Sequence, residues 1–298
     1  MNTRTFKSDF LLLLTAAIWG FAFVAQRVGM DYVGPFIYNA TRFALGALAM
    51  LPFVLGTRKI PNRVSLRVVF LGSIVAGIFL FLGSSLQQVG IVYTTAGKAG
   101  FITGLYVVIV PFIGVLLKHT ITWGNWLGAL LAAVGLYFLT ITASFTIEKG
   151  DFYVLLSAFF FAAHMHVIGW LAPQVETSRI AMLQFGMVSI LSFITAFAIE
   201  TFSMQDILNA AIPILYGGLM SVGVAYTLQV VAQKHAPPTH AAIILSLESV
   251  FAVLGGWLIL TEVLSLKSLF GCALMLAGML ISQMRWPLKN KKRQSDSD

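Results

Sequence analysis

Arg42, Lys98, His164, His166, Gln229 and Glu248 bring ionisable or hydrogen-bonding chemistry into long apolar runs of this chain. An ionised group inside hydrocarbon costs roughly 3 kcal/mol on insertion scales, so each must face water, a ligand or a partner. The Arg42 guanidinium suits a carboxylate or phosphate, and Tyr38 and Asn39 lie one turn earlier on its face. It is a candidate for an anionic substrate group; the alternative is a structural role, held by carbonyls or by Glu248. Glu248 stands ten residues after Pro238, in the middle of its run. A carboxyl that changes protonation as a cavity opens to either side is what proton coupling requires, and a static pair with Arg42 or Lys98 is the competing reading. Lys98, with Thr94 and Thr95 one turn away, either contacts a polar solute or extends its ammonium to the interface.

His164 and His166 are two residues apart and point in different directions on a helix, so they are not a metal pair. His164 shares a face with Ser157 and Phe161 and is either a cavity group or a hydrogen-bonded structural histidine. Trp19, Tyr106, Tyr226 and Gln229 offer aromatic walls and hydrogen bonds for a ligand in mid-membrane, or plain packing. Enzyme chemistry has little footing. There is no His-Glu-x-x-His, no Gly-x-Ser-x-Gly and no carboxylate pair in the apolar runs. Gly97-Lys98-Ala99 lacks the spacing and the hydroxyl of a phosphate loop, and the sole cysteine, Cys272, excludes an internal disulfide framework or a cysteine metal cluster. The expectation is a protein with no cofactor and no metal, and not an enzyme.

The elements that must position these groups are ten apolar stretches, at 10 to 28, 35 to 56, 66 to 90, 94 to 117, 122 to 142, 150 to 171, 178 to 199, 211 to 234, 238 to 260 and 265 to 286. Most suffice to cross about 30 Å of hydrocarbon. Runs such as Leu11-Leu12-Leu13-Leu14 and Phe159-Phe160-Phe161 are apolar all round, unlike the striped surface helices of soluble proteins. Only 10% of residues are charged, against about 25% in soluble domains, and the mean hydropathy is +0.89. The first stretch continues through Trp19-Gly20-Phe21 without a cleavage pattern and reads as a retained helix.

With both termini cytoplasmic, 14 Lys and Arg fall inside and four outside, with Arg42 in a span. The net charge of +8 then needs no nucleic acid, and the tail Lys289-Asn290-Lys291-Lys292-Arg293 reads as an anchor against anionic lipid. The stretches also repeat. An offset of 142 lays Thr15-Ala16 on Ser157-Ala158 and Arg42-Phe43 on Gln184-Phe185; an offset of 143 lays Gly128 and Gly135 on Gly271 and Gly278, and Ala99 and Val107 on Ala242 and Val250. The organisation is therefore a short N-terminal segment (1–9), a five-helix repeat (10–142), a connecting loop (143–149), a second five-helix repeat (150–286) and a basic tail (287–298). Five spans per repeat force the second copy upside down, the pattern of secondary transporters. Gly100 with Gly104 and Gly124 with Gly128 let helices approach closely, within one protomer or, through spans five and ten, in a homodimer.

In this order and spacing, Ala16-Ala17-Ile18-Trp19-Gly20, Arg42-Phe43, the segment 99–108, Leu247-Glu248-Ser249-Val250-Phe251 and the segment 257–262 resemble the EamA family of ten-span permeases in the drug/metabolite transporter superfamily. The resemblance covers residues 8 to 286. It implies an all-α membrane protein of ten transmembrane helices in two inverted repeats, with spans one to four and six to nine around a central cavity. It further implies a permease of the cytoplasmic (inner) membrane that moves a small molecule such as an amino acid by alternating access, as an exporter. The alternative is a non-transporting membrane scaffold or sensor. Two departures stand out: Ser249 and Tyr106 occupy places where these permeases often carry proline. Without proline the helices are expected to straighten there, with Pro111 kinking span four instead.

Overall fold

The computed structural model describes residues 3–56, 65–140, 149–260 and 265–283. Glu262, most of the loop between the repeats and the basic tail lie outside the described residues. All described elements are helices: α1 (Thr3–Gly29), α2 (Pro35–Gly56), α3 (Leu66–Val92), α4 (Ala96–Gly104), α5 (Tyr106–Leu116), α6 (Trp123–Thr140) and α7 (Lys149–Leu171) in the first part. Then come α8 (Thr177–Ile199), α9 (Met204–Asn209), α10 (Ala211–Leu215), a π-helix (Tyr216–Tyr226), α11 (Thr227–Gln233), α12 (Pro238–Leu245), α13 (Glu248–Leu260) and α14 (Leu266–Gln283).

Eight segments are long and apolar enough to cross a membrane: α1, α2, α3, Ala96–Leu116, α7, α8, Ala211–Gln233 and Pro238–Ile259. Shorter apolar helices run over Trp123–Phe138 and Leu269–Ser282. Large apolar side chains such as Leu48, Phe53, Ile194, Phe197, Ile212 and Leu258 are exposed along these helices. Burying them in lipid removes the cost that water would impose. Exposed aromatics cluster near helix ends, with Trp123 and Trp170 toward one face and Tyr32, Tyr93 and Trp257 toward the other. That is where amphipathic rings sit in a bilayer interface.

The expected straight helices are not observed. The fourth apolar stretch breaks at Leu105 and the ninth at Ser246–Leu247, whereas Pro111 lies inside α5 without interrupting it. At both breaks the ladder tightens to three-residue bonds, Leu105 N–H to Ile102 O (3.2 Å) and Leu247 N–H to Ile244 O (3.1 Å). Side-chain chemistry replaces proline in the ninth stretch. The Ser246 hydroxyl bonds back to Ile243 O at 2.9 Å, and Ser249 donates across to Gly100 O at 2.7 Å. A Cβ on Gly104 would meet Ser249 Oγ at 2.9 Å, so the small residues of α4 are what let the two broken helices cross.

Packing partners come in related pairs. α3 lies antiparallel on α7, while α1 lies against the π-helix and α11; α2 packs on α8, and α6 on α14. At the last contact a Cβ on Gly128 would meet Gly278 O at 2.7 Å, and one on Gly278 would meet Gly128 O at 2.7 Å. The small faces of these two helices are thus used on each other. α1 runs parallel to α12–α13 and α7 parallel to α4–α5, as Asp9 against His240 and His166 against Val110 show.

Candidate functional site

Halfway along the bundle, Trp19, Phe23 and Gln26 of α1, Arg42 of α2, Gln87 of α3, Thr103 of α4 and Tyr106 of α5 meet Phe161, His164 and Met165 of α7. Ser221 and Tyr226 of the π-helix, Gln229 of α11 and Glu248 of α13 close the ring. The enclosed volume is about 30 Å³, room for about two waters.

Arg42 is buried, 2% exposed. Its Nε donates to Asn39 Oδ1 at 2.9 Å, and its guanidinium carbon lies 5.3 Å from the Tyr38 ring centre and 5.1 Å from that of Phe43. These contacts fix the plane of the fork. Among the described residues no carboxylate pairs with it, so its charge is held by aromatic faces and turned to the cavity. Asn39 orients Arg42, donates to Ser84 O at 3.1 Å, and does not line the cavity. α2 itself is seated by Glu200, whose two carboxylate oxygens accept from Phe36 N (2.9 Å) and Ile37 N (2.8 Å). A carboxylate at a helix start answers both the unpaired N–H groups and the dipole.

Glu248 is 3% exposed and opens α13 directly after the break. The Tyr106 hydroxyl approaches it from the first residue of α5. The geometry leaves both Tyr106 Oη and Glu248 Oε1 without a hydrogen bond. Gln229 Nε2 and Oε1 and Gln26 Oε1 are likewise buried and unpartnered. Five such atoms around one small cavity are a concentration that native interiors avoid unless water or a ligand answers them.

The wall is built from rings and backbone. Tyr226 is its hub, 4.6 Å from Trp19, 6.1 Å from Phe43 and Phe185, and 6.2 Å from His164 between ring centres. The π-helix frees carbonyls that α1 uses: Trp19 Nε1 donates to Ser221 O at 3.2 Å and Thr15 Oγ1 to Ala225 O at 3.3 Å. His164 Nε2 meets Gln184 Oε1 at 2.9 Å, and His166 Nε2 meets Val110 O at 2.9 Å, so the two rings leave their helix in different directions. Among the described residues no cluster of His, Cys, Asp or Glu could hold a metal ion.

Of the nine residues singled out from sequence, Trp19, Arg42, Tyr106, His164, Tyr226, Gln229 and Glu248 surround this cavity. Lys98 does not: its ammonium is 2.9 Å from Asp151 Oδ2, at the first turn of α4. The static pair of Glu248 with Arg42 or Lys98 is absent as well. Sequence reasoning missed Gln26, Gln87, Thr103 and Ser221, whose uncharged side chains carry no signal in an apolar run. Gln87 Nε2 donates to Thr103 Oγ1 at 3.0 Å and so ties α3 to α4 at the cavity wall.

Comparison with known proteins bears on the family and the fold. The model of the EamA-like transporter family matches residues 6–141 and again 148–284. An uncharacterized transporter of Archaeoglobus fulgidus is 35% identical over 286 residues, covering 95% of this chain and 88% of that protein. The uncharacterized transporter YdfC of Bacillus subtilis is 23% identical, covering 98% of this chain and 95% of its own. A protein of known crystal structure shares the fold with a TM-score of 0.76 at 16% identity, over 93% of this chain and 96% of that one. The chain belongs to the EamA-like transporter family and is a multi-pass membrane transporter.

Proposed function

We propose that the protein is a secondary transporter of a small polar metabolite, an amino acid or a close relative, exported across the cytoplasmic membrane by alternating access. The observation that carries this reading is the cavity's unanswered polarity. Arg42 offers a fork for a carboxylate, Glu248 a partner for an ammonium, and Gln26, Tyr106 and Gln229 hold unused hydrogen-bonding capacity between them. A zwitterion answers both signs at once. Trp19, Phe161 and Tyr226 line the cavity where a substrate's apolar part would pack.

About 30 Å³ is too little for a metabolite, so the walls must part for substrate to enter. In our reading the ten apolar segments form two inverted five-helix repeats, both termini cytoplasmic, that rock against each other around the site. Support comes from the paired packing of α3 on α7 and α1 on the π-helix and α11, and from the family model matching the two halves in turn.

The test is resistance of cells overproducing the protein to a panel of amino acids and their toxic analogues, followed by uptake of the responding solute into proteoliposomes. Wild type should respond, and Arg42→Ala at normal abundance should not. An imposed pH gradient should drive wild type but not Glu248→Gln; the same gradient dependence in both removes Glu248 from coupling. A stable partner recovered without flux of any solute would instead make the protein a scaffold or sensor.

A further inference from the structure

We infer that two symmetry-related ion pairs, Asp9–His240 at the N-terminal end of the bundle and Lys98–Asp151 at the opposite end, are the latches that close the two ends in turn. The inference rests on the alternating-access reading above. His240 Nε2 lies 2.7 Å from Asp9 Oδ1 and joins the start of α12 to the start of α1. Lys98 Nζ lies 2.9 Å from Asp151 Oδ2 and joins the start of α4 to the start of α7. The two broken helices align in the structure with an offset of 142, the start of α4 at Ala96 and its break at Leu105 falling on Pro238 and Leu247, one less than the 143 read there from sequence; that offset carries Asp9 onto Asp151 and Lys98 onto His240. Each latch therefore takes its carboxylate from one half and its cation from the other, and each ties a helix of the cavity wall to one of the broken helices. Both pairs are largely buried, with side-chain exposures of 12% and 10% in one and 24% and 8% in the other. Both pairs are formed together here, around a cavity too small for a metabolite.

The two latches differ in chemistry. Asp151 also accepts from Thr94 Oγ1 at 2.7 Å, whereas Asp9 Oδ2 is buried without a partner. The Asp9–His240 latch borders a vestibule of about 1030 Å³, whose other titratable or charged groups are Lys118, His119 and His235. From α6, α7 and α14 the vestibule receives only neutral groups, Asn125, Trp170 and Ser282.

The experiment uses full-length protein with Cys272→Ser and the cavity reporter Ser221→Cys, labelled by a membrane-impermeant maleimide from either face of oriented vesicles. Asp9→Asn should raise the ratio of N-terminal-face to opposite-face labelling by about five-fold, and Asp151→Asn should lower it by a similar factor. His240→Ala should shift the ratio as Asp9→Asn does, and His240→Lys, which keeps a cation at that place, should bring it back toward wild type. If the reporter is labelled from both faces yet neither Asn variant moves the ratio, or both move it the same way, the latches are wrong and alternation stands. If added substrate never changes which face labels the reporter, alternation itself fails and the latches fall with it.

Discussion

Arg42 and Glu248 bring a guanidinium and a carboxyl group into one cavity without pairing with each other, and the packing around them explains how. Arg42 is braced by Asn39 and by the rings of Tyr38 and Phe43; Glu248 takes the favourable end of α13. Lysine keeps the charge at position 42 but has neither the fork nor the planar stack. Arg42→Lys should therefore cut transport at least about tenfold with normal abundance, measured as initial uptake rate. Asn39→Ala should act through Arg42 orientation, raising the substrate concentration for half-maximal uptake by about tenfold, because its removal frees the fork. The charged and aromatic members of this site were legible from sequence, since each is costly or conspicuous in an apolar run. Lys98 was singled out for the same reason: cost flags an ionised group but does not say what answers it, and in the structure Asp151 does so from 53 residues away. Asp9 and Asp151 passed unnoticed because a carboxylate at a span end resembles any interfacial charge.

At the scale of elements, the helices begin and end close to where hydropathy placed them, but their interruptions were not foreseen. The proline-based expectation looked for a missing N–H, whereas the breaks at Leu105 and Ser246–Leu247 come from tightened turns, a hydroxyl that bonds back and a glycine crossing. The π-helix was equally silent, its sequence reading as one more apolar span. Two substitutions test these local arguments. Gly128→Leu forces a side chain against Gly278 O and should destabilise the protein by about 1–3 kcal/mol, read as a lower Tm in detergent. Lys118 closes α5 in the left-handed region at φ 58°, so Lys118→Gly should stabilise by about 1 kcal/mol in the same assay.

For the whole molecule, the repeat read from offsets of 142 and 143 does more than count helices. The offset of 142 set by the helix breaks relates Tyr106 to Glu248 across the cavity and one ion pair to the other at opposite ends, and the offset of 143 relates Gly128 to Gly271 along the α6–α14 contact. Under the alternating access proposed above, a molecule so arranged would have two equivalent ways to open and one central place that holds substrate in both. The most direct test of that central place is exchange of a preloaded amino acid for labelled external solute in proteoliposomes, without any imposed gradient. Wild type is expected to exchange saturably, and Arg42→Ala at equal incorporation to lose at least about 90% of the rate, as expected when an arginine clamp on a carboxylate is removed. Undiminished exchange in Arg42→Ala and Glu248→Gln alike would contradict the account.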